Sequence, residues 1–330
     1  MISVLLRRRV GAFVLTLLAI EFLDEFVFGT REAAWPLIRD DLGLTYAQIG
    51  LLLGVPGIIA SLIEPTLGIL GDVWKRRILI LGGGVMFALS CLFTAVSQSF
   101  WPLMLTFVLF YPASGAFVSL SQSALMDTDP TRHEQNMARW TFAGSVGVVT
   151  GSLLLGVAVN IGLGWRGLFL ALGLLAALLV VIASRFPFTN GASEEGGEAV
   201  SFRQGVRNAL EALRRREVLR WLTLLQFSDL MLDILLGYLA LYMVDVAGVS
   251  EAEAGVAVAV WSVVGLVGDL ALIPLLERVR GLSYLRISVL LELALYPAFL
   301  LVEGYVPKLI ILGLLGFFNS GWYSILAGQL

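Results

Sequence analysis

Gly68-Ile69-Leu70-Gly71-Asp72-Val73-Trp74-Lys75-Arg76-Arg77 is a charged turn between two long apolar stretches. The residues before it, from about Ile49, and those after it, Ile78 to about Val96, each read as a bilayer-spanning helix, which takes about 20 mostly apolar residues. The rest of the chain repeats this grammar. Of 330 residues, 58% are hydrophobic and only 14% charged, where a soluble domain carries about 25% charged. Candidate spans cover 10–38, 46–71, 77–97, 101–126, 137–162, 165–186, 217–244, 251–276, 283–303 and 307–329, ten in all. Lipid offers the backbone no hydrogen-bond partners, so spans are helices or closed barrels, and the alternating pattern of a barrel is absent. The expectation is an all-α membrane protein.

Charge sets the orientation. With the N-terminus inside, 18 of the 22 Lys and Arg fall in cytoplasmic segments, among them Arg7, Arg8, Arg9, Lys75, Arg76, Arg77 and Arg214 to Arg216. Only Arg31, Arg39, Arg166 and Lys308 remain for the other side, which satisfies the positive-inside rule. The first apolar segment lacks a small-residue cleavage site, so it reads as a retained helix. Cys91 and His133 are each the only one of their kind, which excludes a disulfide, thiolate metal site or histidine cluster within one chain. No cofactor, metal or nucleic-acid partner is expected. A multi-pass protein of the cytoplasmic (inner) membrane is.

The opening turn is more specific than a loop between spans. A helix ending in Gly-x-x-x-Asp, followed by a basic run opening the next, resembles the loop between helices 2 and 3 of the major facilitator superfamily (MFS), whose members are secondary transporters. Gly68, Asp72, Arg76 and Arg77 match that pattern, while Val73 replaces a basic residue and Lys75 a glycine. The resemblance implies that Asp72 meets a helix end or an arginine across the two halves in the outward-facing state, forming a gate. A simple positive-inside anchor is the other reading of Arg76 and Arg77. The Gly164-Trp165-Arg166 corner before the sixth span also resembles the superfamily.

An internal repeat runs through the chain at an offset of 205 residues. It aligns Phe22 and Asp24 with Phe227 and Asp229, Asp40 with Asp245, and Gly43-Leu44-Thr45 with Gly248-Val249-Ser250. Glu64 meets Asp269, Asp72 meets Glu277, and at an offset of 206 Ser114-Gly115 meets Ser320-Gly321. Parallel repeats of this kind relate the two halves of MFS transporters. The reading divides the chain into a six-helix half (1–186), a cytoplasmic linker with a short amphipathic helix (187–216) and helices 7–10 of a second half (217–330). Leu330 aligns with about Ala124, so the repeat expects roughly 60 further residues and two more helices. The chain therefore reads as truncated after the tenth helix, with a natural ten-helix variant as the alternative.

Candidate chemistry lies in intramembrane acids, which are rare and face a cavity or a partner. Glu21, Asp24 and Glu25 stand at i, i+3 and i+4 on the first span, Asp229 and Asp233 at i, i+4 on the seventh. Crowded like charges favour holding a proton on one of them, so such a site can load and release protons or bind a cationic substrate. Structural neutralisation by Arg31 or Arg139 is the bland alternative. Glu64, Asp269 and Glu277 are second-tier gate candidates. Hydroxyl and small residues of span 4 (Ser114, Gly115, Ser119, Ser121, Gln122, Ser123) read first as close packing, as do Gly144, Gly147 and Gly151 of span 5. The functional expectation is alternating-access, proton-coupled efflux of a small organic solute or drug by a monomer. A proton-coupled importer and a non-transporting fragment are the rivals. A membrane enzyme has no metal-protease, P-loop or nucleophile motif behind it.

Overall fold

The computed structural model describes residues 2–73, 75–129, 133–188, 207, 211, 214–276 and 278–327. The side chains of Asp72, Asp229 and Asp233, and Glu277 altogether, lie outside the described residues, as does most of the expected linker helix. Among the described residues every element is helical. The helices are α1 (Ile2–Leu42), α2 (Tyr46–Val73), α3 (Arg76–Val96), α4 (Phe100–Ser114), α5 (Leu120–Met126), α6 (His133–Asn160) and α7 (Gly164–Ala183). They continue with α8 (Arg216–Asp245), α9 (Glu251–Leu276), α10 (Gly281–Leu301), α11 (Tyr305–Asn319) and α12 (Trp322–Ala327).

Local sequence explains where the helices stop. Gly43 takes a positive φ of 60° just after α1, a conformation that terminates a helix cheaply only with glycine. Two residues on, Thr45 and Gln48 form a reciprocal cap: the Gln48 N–H donates to Thr45 Oγ1 (3.2 Å) and the Thr45 N–H to Gln48 Oε1 (2.9 Å). The repeat copies the device. Gly248 has φ 71°, and Ser250 and Glu253 exchange the same two bonds at 3.3 and 2.9 Å. Gln48 and Glu253 are themselves 205 residues apart.

Eight of these helices, counting α4 and α5 with the turn between them as one, are long and apolar enough to cross a membrane by length and composition. Two expected spans fall outside that set. The middle of α1 carries Glu21, Asp24, Glu25, Arg31 and Glu32, and α11 has only 15 residues. Large apolar side chains such as Leu62, Trp101 and Leu301 are at least 75% exposed, as lipid-facing positions are.

The chain forms two compact units. One comprises residues 1–28, 37–148 and 157–206; the other comprises 29–36, 149–156 and 207–330. The second therefore takes in short stretches of α1 and α6 that the sequence reading assigned to the first half. Within the first unit α3 packs on α7 and α4, and α2 packs on α4. Within the second, α9 and α10 both pack on α11, the same arrangement of second and third helices on the fourth. Each fourth helix is interrupted. Gly115–Ser119 forms a π-helical turn between α4 and α5, and Ser320-Gly321, with Gly321 at φ 74°, breaks α11 from α12.

Candidate functional site

Two helices of the first unit, α4 and α6, converge on the α1 acids. Glu21 is buried, and Asp24 and Glu25 are half-buried. Ser114, the last residue before the π turn, donates its hydroxyl to Asp24 Oδ1 at 2.8 Å. On the other side α6 presents Gly144 and Gly147. A Cβ at Gly144 would stand 2.7 Å from Glu21 Oε1 and 3.2 Å from Glu25 Cγ, and one at Gly147 would strike the backbone of Phe22 and Phe26. These glycines let α6 lie directly on the acidic face of α1. Gly144 and Gly147 both meet α1 in this way.

Arg31, one of the two alternative neutralisers, pairs with its chain neighbour, its guanidinium 2.6 Å from Glu32 Oε1. Trp35 Nε1 donates to the other Glu32 oxygen at 3.1 Å, so this buried pair is tied down. Arg139 is exposed.

In the turn between α2 and α3, Gly68 has open space where a Cβ would be, whereas Gly71 abuts Leu120. Arg76 is 3% exposed; it donates from Nε to the Gly71 carbonyl at 3.3 Å and pairs through Nη1 with Asp127, just beyond α5. Arg77 donates to the Ser184 carbonyl at the end of α7 at 2.6 Å. Both arginines thus meet the C-terminal ends of helices in their own unit, where the dipole favours cations.

The two aligned acids of the second helices occupy matching places. Glu64 of α2 lies against Gly115, where a Cβ would come 2.9 Å from Glu64 Cγ. Asp269 of α9 accepts the Gly321 N–H at 2.9 Å. Each acid therefore sits at the interruption of the fourth helix of its unit, although Ser114-Gly115 and Ser320-Gly321 align with a one-residue slip.

Three acids escaped the sequence reading. Glu32 and Asp127 have the arginine partners described above, and the Arg31-Glu32 adjacency inside an apolar span was the available signal for the first. Glu292, at the middle of α10, is 1% exposed with neither oxygen hydrogen-bonded. Its signal was a single acid in the stretch Ile287–Leu301.

These features define a helical membrane protein with a doubled topology and acids held at the interior faces of its helices. The chain belongs to the Major Facilitator Superfamily, whose family model matches residues 16–330. It is 30% identical over 136 residues to the inner membrane transport protein YajR of Escherichia coli (strain K12), covering 41% of this chain and 29% of that one. It is 26% identical over 165 residues to a "Probable sugar efflux transporter" of Helicobacter pylori, covering 48% of this chain and 42% of the relative. The matches thus span less than half the length of these two relatives. In three dimensions it resembles the nucleoside transporter NupG with a TM-score of 0.74 at 16% identity, over 96% of this chain and 80% of that one, which bears on fold.

Proposed function

We propose that the protein is an alternating-access secondary transporter that exports a small organic solute or drug in exchange for protons. It works as a monomer in the cytoplasmic membrane with its N-terminus inside, its two repeats rocking about a midplane site. The observation that carries this reading is the α1 cluster, in which Glu21, Asp24 and Glu25 are enclosed by Ser114 and the bare backbone of α6. Asp24, which accepts the Ser114 hydroxyl, is the proton carrier, and Glu21 and Glu25 are its partners in the cluster. Asp229 and Asp233 supply the matching acids of the second repeat. Efflux draws support from the Helicobacter pylori relative, named as a sugar efflux transporter.

In the same reading Gly68 and Asp72 form the principal cytoplasmic gate, with Glu64, Asp269 and Glu277 as its secondary network. Arg76 and Arg77 tie the turn to the ends of α5 and α7, so it moves as one piece with its own unit.

Substrate flux in proteoliposomes under an imposed pH gradient tests the proposal. Asp24→Asn and Asp229→Asn should each abolish or uncouple proton-driven export at unchanged expression. Unaltered pH dependence in both removes these acids from the mechanism, and uptake together with protons makes the protein an importer.

A further inference from the structure

The two fourth helices run in register. α4 (Phe100–Ser114) and α11 (Tyr305–Asn319) each have 15 residues, and both their ends are 205 residues apart, the offset that relates Asp24 to Asp229. Position by position the counterpart of Ser114 is therefore Asn319, although Ser320 matches it in residue type. Ser320 is already engaged: its hydroxyl reaches the Gly265 carbonyl of α9 at 2.7 Å and the Gly316 carbonyl of its own helix at 3.0 Å. Asn319 is not. It is 6% exposed, and neither its amide nitrogen nor its amide oxygen has a hydrogen-bond partner.

A buried primary amide without bonds leaves two N–H donors and a carbonyl unsatisfied, a cost that an apolar side chain of the same shape would avoid. In the first repeat the residue at this position has a defined task, since Ser114 gives its hydroxyl to Asp24 at 2.8 Å. The second repeat keeps a polar side chain at the same place, with Asp229 at the matching place on its first helix. The backbone brings the two stretches together. Trp322, three residues beyond Asn319, lines one cleft with Phe227, Ser228 and Met231, the neighbours of Asp229 in sequence, and α12 packs on α8. An amide suits an acid that changes its proton: an N–H donates to a carboxylate, and Oδ1 accepts the O–H of a carboxyl.

We propose that Asn319 is the positioning residue of the second repeat's acid, its amide engaging Asp229 in a state of the transport cycle other than the present one. The two fourth helices then do the same work at different moments: Ser114 is bonded to Asp24 here, while the Asn319 amide has no bond. The inference rests on the reading of Asp229 as a proton-carrying acid, and its test separates the pairing from that reading.

Two measurements on the purified full chain in detergent test it. In a Cys91→Ser background, Asp229→Cys combined with Asn319→Cys should form a disulfide under copper-phenanthroline oxidation, as Asp24→Cys combined with Ser114→Cys should. A 229/319 pair that stays reduced overturns the proposal. Infrared difference spectra between low and high pH read the bond itself. The carboxyl C=O band that Asp229→Asn removes should move to higher frequency in Asn319→Leu, which offers no hydrogen bond, and return toward its parent position in Asn319→Gln. A band unmoved in Asn319→Leu overturns the pairing; if that variant fails to fold, Asn319→Ala is read in the same way. If Asp229→Asn removes no band, proton carriage by Asp229 falls, and the cross-link alone decides the pairing.

Discussion

Phe87 of α3 and Glu292 of α10 are the same position in the two repeats, 205 residues apart, and they solve that position oppositely. Phe87 is fully buried, its ring 4.7 Å from Phe110 and 5.9 Å from Phe117, so the first repeat fills its interior with aromatic packing. At Glu292 the second repeat leaves a carboxyl without a partner beside a cavity. What the repeats share is scaffolding: the glycine-terminated first helix with its reciprocal cap, the packing of second and third helices on the fourth, and an acid at the break in that fourth helix. What they do not share is interior chemistry. Duplicated architecture leaves each interior position free to change, because main-chain geometry and helix ends are specified elsewhere.

The swap of these two residues is the sharpest way to break the comparison. Phe87→Ala should lower stability by about 3–5 kcal/mol, the usual effect of emptying a packed aromatic site. Glu292→Phe, which installs the first repeat's solution in the second, should raise it by about 1–3 kcal/mol by removing a buried unpartnered group. Denaturation in detergent monitored by tryptophan fluorescence reads both; a stability loss in Glu292→Phe would mean the cavity is not the counterpart of the Phe87 site.

Glycines sharpen it next. Gly147→Ala should cost about 1–3 kcal/mol, since the added methyl drives α6 off the α1 backbone. Gly68→Ala, with open space around it, should change stability by at most about 1 kcal/mol, toward greater stability, as Ala replaces Gly in a helix. A large loss at Gly68 would show that the turn is packed in the dominant conformation.

The smallest contrast concerns how each repeat closes the end of its third helix. Arg166 of α7 donates to the Ala95 and Ser97 carbonyls at the C-terminal end of α3 at 2.9 and 2.6 Å, and pairs with the exposed Asp41. Lys308 of α11 reaches the Phe299 carbonyl of α10 at 2.8 Å and the Tyr242 hydroxyl at 2.7 Å, and is 5% exposed. Lys308→Met should therefore cost about 1–3 kcal/mol. Arg166→Gln, at a wetter site, should cost under about 1 kcal/mol in the same denaturation measurement.

Much of this was legible in the residues alone. Long apolar runs, the bias of arginines and the 205-residue offset lead directly to a helical membrane protein with a doubled topology. Glu64 and Asp269, which that offset aligns, each sit at a break in a fourth helix. The partners of the charged residues were less legible. Arg76 and Arg77 looked like half of a gate or an anchor, and their contacts are Asp127 and the Ser184 carbonyl, 51 and 107 residues away. Local spacing carries no information about such distant pairings.

Sequence by itself determined the helices, their ends and the acidic face of α1, because bilayer-length apolar runs, glycine caps and i, i+3, i+4 spacing act within a few turns of one chain segment. Only the tertiary structure decided which acids are partnered. Asp24 receives the Ser114 hydroxyl, Asp269 receives a backbone N–H, and Glu292 receives nothing. The reason is physical: a hydrogen bond needs an approach within about 3 Å, and that depends on how closely helices distant in sequence can pack.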